Sequence, residues 1–307
     1  MDWLAGMRAF VRVVEAGGFS RAADDLAMTQ PTVTKHIAAI EKALDCRLLN
    51  RNTRGVTVTE TGALYYERCK ATLREFELAM DIGRDDHAEA HGQLRVTTSL
   101  AFGRRVLTPA LIDFMALHPR LRVDLDCDDR YVDLVASGRD LALRMGALAD
   151  SSYGVTALGV NPWVMVAAPA YLAKRAAPRV AADLAEHACI VYSSVQGNDV
   201  WRFQGPEGPV ESAQLNTPLR SNNLSVVLAA ARAGIGLAIL PHYVAAPALA
   251  AGALQTVMED HELPSQRIQA VTPSPRLAPR KVTLFVAFLR KRFSGAWWLR
   301  AGEPRGD

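Results

Sequence analysis

Between Phe19 and Ala38 the chain reads as two short helical runs across a tight turn, each opened by a hydroxyl residue. Ser20 is placed to accept from an orphan N–H of the first run. Thr29 is placed to do so for the second, where Pro31 fits the first turn because an N–H there has no intrahelical partner. Val33, Ile37, Ile40 and Leu44 recur at spacings of four, three and four, the buried stripe of an amphipathic helix. The other face carries Gln30, Thr34 and Lys35, with Thr32 and His36 beside them and no carboxylate before Glu41. Gln can pair bidentately with adenine, Lys can donate to guanine, and Thr serves a base edge or a phosphate. The segment therefore predicts a helix that reads the DNA major groove.

The flanks agree. Leu4, Met7, Phe10, Val11 and Val14 make a bracing helix that ends at Gly17-Gly18. Leu48 to Arg51 and Val56 to Thr59 are strand-like across Asn52-Thr53-Arg54-Gly55, a β-wing with Arg51 and Arg54 near its tip. From Thr29 to Arg54 the cations Lys35, Lys42, Arg47, Arg51 and Arg54 face only Glu41 and Asp45. That net +3 equals the formal charge of the whole chain, so the positive field is concentrated where phosphates would lie. Ser20, Thr32, His36, Arg51, Thr53 and Arg54 are the candidate phosphate contacts. An ordinary helical hairpin is the competing account, and it explains neither the wing nor the basic patch.

At 307 residues, half of them hydrophobic, the chain has room for two or three domains. The start, with Asp2, Arg8 and Arg12, lacks the pattern of an export signal, which suggests a cytoplasmic protein. The longest stretch without formal charge, Ala233 to Met258, is interrupted by Gly234, Gly236, Pro241, Pro247 and Gly252 and argues against a membrane span. Cys46, Cys69, Cys127 and Cys189 show no zinc or redox spacing. His87 and His91 lie four apart but suggest no third ligand, so no metal and no cofactor are expected.

From Thr59, placed to cap beside Glu60, the pattern is helical to about Arg84. Tyr66, Cys69, Leu73, Phe76 and Met80 alternate spacings of three and four, the seam of a two-helix coiled coil. The stripe could pack on its own chain instead. A short reader gains a second half-site only as a dimer, however, and a two-fold dimer predicts an inverted-repeat operator on double-stranded DNA.

After a polar break at Asp85 to Gly92, strand-like runs (94–98, 121–127, 141–144, 163–167) alternate with helix-like runs (104–117, 131–136, 170–174), which argues for α/β architecture with parallel strands. Ile190 to Tyr192, a helix-like Leu224 to Ala233, Leu237 to Leu240, Ile268 to Val271 and a last helix, Val282 to Phe293, follow.

On Phe19 to Ala38, Thr29-Gln30-Pro31, Leu48 to Arg51 and Val58-Thr59-Glu60-Thr61-Gly62, the sequence resembles the LysR-type transcriptional regulators. The likeness continues through Val132-Asp133-Leu134, Asp140 to Gly146, Pro169-Ala170-Tyr171-Leu172 and Gly234 to Pro241, leaving out the tail after Trp298. It implies an α/β chain in three parts. Residues 1–59 would be an all-α winged helix-turn-helix domain, with the helix-turn-helix at 19–38. A linker helix and hinge would occupy 60–91. A two-lobed effector domain, like type 2 periplasmic binding proteins, would span 92–298, with lobe I at about 92–162 and 268–298 and lobe II at about 163–267. The resemblance carries base reading to Gln30, Pro31, Thr34 and Lys35, although many members have Ser and Arg where Thr34 and Lys35 stand. It implies an antiparallel linker-helix homodimer, often doubled to a homotetramer, with RNA polymerase as a possible further partner.

In such a fold a small molecule sits between the lobes, at strand ends and helix starts whose N–H groups favour an anion. The candidates are Ser99, Leu100 and Phe102, Arg144 and Gly146, Ser193 and Ser194, and Asn222. Each also has a local alternative: a cap for Asn222, a salt bridge for Arg144, turns for the serines. If Arg144 faces the cleft, a carboxylate-bearing metabolite is the expected effector class. Enzyme chemistry is not expected, since the chain has no Gly-x-Ser-x-Gly elbow, no His-Glu-x-x-His pair and no phosphate loop. A solute-binding protein whose helical end only dimerises is the rival reading, disfavoured by the missing export signal and separable by promoter binding.

Overall fold

The computed structural model describes residues 2–52, 55–82, 89–130, 134–135, 137–146, 153–196, 200–204, 210–263, 265–274 and 278–300. The chain divides into two compact units, the first built on Met1–Ala88 and the second on Glu89–Tyr131, Asp140–Arg276 and Lys281–Asp307.

The first unit opens with α1 (Trp3–Ala16), capped by the Asp2 carboxylate and stopped by Gly17 in the left-handed region, where glycine carries no Cβ penalty. α2 (Phe19–Asp25) and α3 (Gln30–Leu44) follow, then the hairpin β1 (Leu49–Asn52) and β2 (Gly55–Val58) and the long α4 (Glu60–Ile82). Phe10, Val13, Phe19, Ala22, Val33, Ile37, Ile40 and Leu48 form their common core. The capping expected of Ser20 does not occur. Gly18 is the N-cap, in an extended conformation that puts Phe19 inside the helix and into the core, and Ser20 instead donates to Gln30 Oε1 at 3.3 Å.

In the second unit β3 (Gly92–Thr98) leads through α5 (Leu100–Phe102) and a π-helical turn, Gly103–Leu107, into α6 (Thr108–Leu117). β4 (Leu121–Cys127), β5 (Leu141–Met145) and β6 (Gly154–Asn161) complete the first pass through lobe I. Lobe II holds β7 (Trp163–Ala167), α7 (Pro169–Leu172), β8 (Ala188–Tyr192), α8 (Ser193–Gln196), the hairpin β9 (Val200–Gln204) and β10 (Val210–Gln214), and β11 (Asn216–Ser221). It continues with α9 (Leu224–Arg232), β12 (Leu237–Pro241), α10 (His242–Ala250) and β13 (Gln255–Thr256). The chain then returns to lobe I through β14 (Gln266–Thr272), α11 (Arg280–Arg292) and α12 (Trp297–Arg300).

Each lobe is built on a five-stranded sheet, ordered β4-β3-β5-β14-β6 and β11-β8-β12-β7-β13. The sheets are mixed rather than parallel throughout. β3 pairs in parallel with β4 and β5, and β8 with β11 and β12, but β14 and β7 run antiparallel to their neighbours. The strand that enters lobe II and the one that returns to lobe I run against the βα units around them. The helical reading of 131–136 falls mostly outside the described residues, and Leu134 and Val135 are in a turn.

One buried network in lobe II makes stability depend on pH. The Tyr171 hydroxyl accepts from Ala188 N–H at 3.0 Å and lies 3.1 Å from His187 Nδ1, to which it donates while that nitrogen is unprotonated. Burial, then the charge of Arg175, holds the His187 pKa below its ordinary value. The fold thus favours neutral histidine, and this stabilisation is complete above the unfolded pKa near 6.5 and fades as pH falls through it toward the depressed folded value. Thermal melts from pH 7.5 to 5 are expected to show a decline that His187→Gln flattens; parallel curves for the two proteins would refute the assignment.

Candidate nucleic-acid interface and effector cleft

Thr29 Oγ1 accepts from Thr32 N–H at 3.3 Å and caps α3, and Pro31 occupies its first turn. Val33, Ile37 and Ile40 are wholly buried, which fixes the rotation of the helix about its axis and leaves Gln30, Pro31, Thr32 and Lys35 exposed, with Thr34 and His36 half-buried. The candidate residues Gln30, Pro31, Thr34 and Lys35 therefore share the outward face and the first turns of one helix, free of carboxylates until Glu41. Glu41 faces the other way: its Oε1 accepts from Leu48 N–H at 2.8 Å and Leu49 N–H at 3.1 Å. One carboxylate oxygen thereby fastens the start of β1 to α3. β1 and β2 pair in the register Leu49↔Val58 to Asn52↔Gly55, which places Arg51 on the wing. Thr53 and Arg54 lie outside the described residues.

Thr59 caps α4 as expected, accepting from Gly62 N–H at 2.9 Å, and its hydroxyl also reaches the Arg47 carbonyl at 2.8 Å. The stripe on α4 divides. Cys69 is 1 % exposed within the helical core of its own chain, which corrects its assignment to a dimer seam. Tyr66 donates to Glu15 Oε1 at 3.3 Å, and burial with that carboxylate nearby pushes the phenol up to about 12. Tyr65 packs at a tilt against Phe10, with ring centroids 5.3 Å apart and planes inclined by 53°. The first turns of α4 are thus occupied by α1, whereas Leu73 and Phe76 are half-buried and Met80 is exposed.

In the second unit the ends of β3, β4 and β8 converge. Ser99 precedes α5, and Leu100, 44 % exposed, donates its N–H to Asp129 Oδ1 at 3.0 Å. Burial, the largest influence, and the charge of Asp129 raise the Tyr192 phenol pKa, against a hydrogen bond from Ser194 that lowers it. Tyr192 at the end of β8 in lobe II therefore lies within electrostatic reach of Asp129, which follows β4 in lobe I, and Ser193 and Ser194 come next in α8. Arg144, 8 % exposed, sits on β5 opposite Gln269 of β14. Asp128 is held below the usual carboxylate range mainly by hydrogen bonds from Arg130, with the charge of Arg144 contributing less. Gly146 follows at φ +91°, a left-handed turn whose carbonyl accepts from Gln269 Nε2 at 2.7 Å.

One candidate does not reach this cleft. Phe102 is fully buried against Tyr243, Phe293 and Trp297, so it belongs to the core. Asn222 follows β11 and is exposed, and it is not the cap of α9, a role taken by its neighbour Asn223, which accepts from Ser225 N–H at 2.8 Å. Sequence reasoning missed the polar joint between the lobes. Gln266 Oε1 accepts from Asn161 Nδ2 at 3.3 Å and from Trp163 Nε1 at 3.2 Å, so a single amide ties together the crossing strands. Asn161 is 1 % exposed. Among the described residues no helix is long and apolar enough to cross a membrane, and no cluster of three or more His, Cys, Asp or Glu could hold a metal ion.

Known proteins with this arrangement are regulators. Residues 4–63 match the family described as bacterial regulatory helix-turn-helix protein, lysR family, and residues 87–294 match the LysR substrate binding domain. The chain is 32 % identical to the transcriptional regulator DmlR of Escherichia coli, across 95 % of this chain and 94 % of that protein. It is 31 % identical to the transcriptional activator TtdR of the same species, across 97 % and 94 %. Among solved structures, CrgA, a LysR-type transcriptional regulator from Neisseria meningitidis, aligns at TM-score 0.61 and 27 % identity over 95 % of this chain and 99 % of that one. The Vibrio cholerae virulence activator AphB aligns at 0.60 and 25 % over 94 % and 99 %. With both its DNA-reading and its ligand-binding parts matched end to end, the chain belongs to the LysR family of transcriptional regulators, DNA-binding proteins rather than enzymes whose promoter binding is modulated by a small-molecule effector.

Proposed function

We propose that a homodimer or homotetramer of this chain reads an inverted-repeat operator through Gln30, Pro31, Thr34 and Lys35. Ser20, Thr32, His36 and Arg51, with Thr53 and Arg54 of the wing, take the phosphates. A small organic acid held between the lobes changes the spacing or bend of the bound half-sites and hence access for RNA polymerase. The parts are 1–59 for reading, 60–91 for pairing through Leu73, Phe76 and Met80, and 92–298 for sensing, and the DNA partner makes the location cytoplasmic. The observation that carries this reading is the outward face of α3, polar and free of carboxylates in its first turns over a fully buried apolar face.

The effector contacts are Ser99, Leu100, Arg144, Gly146, Ser193, Ser194 and Asn222. Supporting an acid are the guanidinium of Arg144 and the N–H groups at the start of the segment after β8, whereas the Leu100 N–H after β3 is already given to Asp129. Fluorescence anisotropy with promoter fragments tests the whole. Specific binding should weaken with rising salt and survive nonspecific competitor, and Arg144→Ala should abolish the response to the effector while leaving basal binding intact. Absence of specific DNA binding refutes the reading, and an unchanged response in Arg144→Ala refutes the effector site.

A further inference from the structure

We propose that lobe II contains a second ligand site, a chamber beside the cleft that takes the flat ring of an aromatic acid and is independent of Arg144. It goes beyond the cleft reading: none of its lining residues is among the cleft contacts, and it adjoins them where Val195 follows Ser194 in α8. Trp163, Val200, Trp201, Ile239 and Leu263 line a cavity of about 230 Å³, with Val195 and Arg202 completing the lining. The inner wall is buried and apolar, with Trp163, Trp201 and Ile239 at 8 %, 2 % and 5 % exposure. The outer edge is solvated, since Val195 is 48 % exposed and Arg202 is exposed too.

Three features select the ligand. An apolar cavity of roughly 150 Å³ suffices to hold benzene, so this one has room for a ring and a short substituent. The Trp163 indole N–H is already given to Gln266 at 3.2 Å, and the charged group of the lining, Arg202, stands at the outer edge, so the inner wall offers a polar ligand little to bond. A molecule with several hydroxyls would lose its hydration here without replacement. The guanidinium of Arg202 at the solvated edge suits a carboxylate on the ring's short arm.

The site is wired to the joint. Trp163 opens β7 directly after the crossing strand, its ring centroid lies 6.1 Å from that of Tyr192 at the cleft, and its N–H is bonded to the other crossing strand. A ring filling the chamber fixes Trp163 and with it the relation of the two strands. Occupancy of the chamber therefore tunes closure of the cleft.

The probe is 4-fluorophenylacetate, followed by ¹⁹F NMR on the full chain. The expected result is line broadening that is lost, at least tenfold in affinity, in Val195→Trp or Val200→Trp, whose added indoles occupy the chamber. Binding should weaken severalfold in Arg202→Ala and be retained in Arg144→Ala. Melting curves verify that the variants fold. No broadening at millimolar probe, or undiminished binding in both tryptophan variants, overturns the proposal. Loss confined to Arg144→Ala also overturns it, assigning the probe to the cleft. Each of these results leaves the DNA-reading function and the cleft site standing, since those are judged separately by promoter binding.

Discussion

Replacing Gln30 and Lys35 together by alanine is expected to abolish specific promoter binding while leaving the fold intact. Each lost base contact costs about 1–3 kcal/mol, so the pair weakens operator affinity on the order of 10²–10⁴-fold if the terms add. Nonspecific affinity should fall far less, because the basic wing and the remaining phosphate contacts persist. Both side chains are exposed, and what the fold gives up is the 3.3 Å hydrogen bond from Ser20 to Gln30, itself at the surface, so the melting temperature should hold. Anisotropy titrations against operator and scrambled duplex separate the two effects. Equal loss on both duplexes would make these residues phosphate contacts, and no loss on either would remove α3 from the groove.

The second large effect concerns stability. Gly62 lies in the first turn of α4, where an added Cβ would land on the Leu48 carbonyl oxygen and 2.9 Å from Val58 Cγ1. Backbone on one side and a packed wing strand on the other leave no flexible tip to move aside. The same carbonyl accepts from Thr59 N–H at 3.0 Å and lies 3.2 Å from the Thr59 hydroxyl, so displacing it undoes the junction of helix, wing and cap together. Gly62→Ala is expected to cost roughly 3 kcal/mol or more and to reduce DNA binding through the displaced wing. Gly18→Ala is the control: φ there is −178° and nothing lies within 4 Å of the added carbon. Equal melting temperatures for the two variants would refute the close-contact argument.

The reading end was largely legible in the sequence because its signals are local. Thr29 and Pro31 write the start of α3, a four-three-four stripe writes its buried face, and turn residues write the wing. The errors arise where local chemistry leaves a choice that packing decides. Ser20 is a good cap, yet a helix beginning two residues earlier buries Phe19, and burial of an aromatic ring outweighs a cap worth about 1 kcal/mol. The stripe on α4 was correctly apolar at Cys69, but periodicity does not say whose core it enters. Phe102 follows a strand, as a cleft residue would, and is drawn inward by Tyr243, Phe293 and Trp297. The antiparallel course of β7 and β14 left no mark in residue types, since the run of buried and exposed positions along a strand reads the same whichever way its neighbours point. The Gln266 joint went unseen for a related reason: its members stand 105 and 103 positions apart from Asn161 and Trp163 and meet only in the fold.

The double acceptance at Glu41 bears on attempts to retarget such proteins. A helix grafted from a relative to change operator preference would bring new bases into register, yet its hairpin would keep the old tilt only if a carboxylate stood at the forty-first position to catch both amides. Without it the graft and the wing would swing separately, and a switch in sequence preference would arrive with a loss of grip on the flanking sugar-phosphate chain.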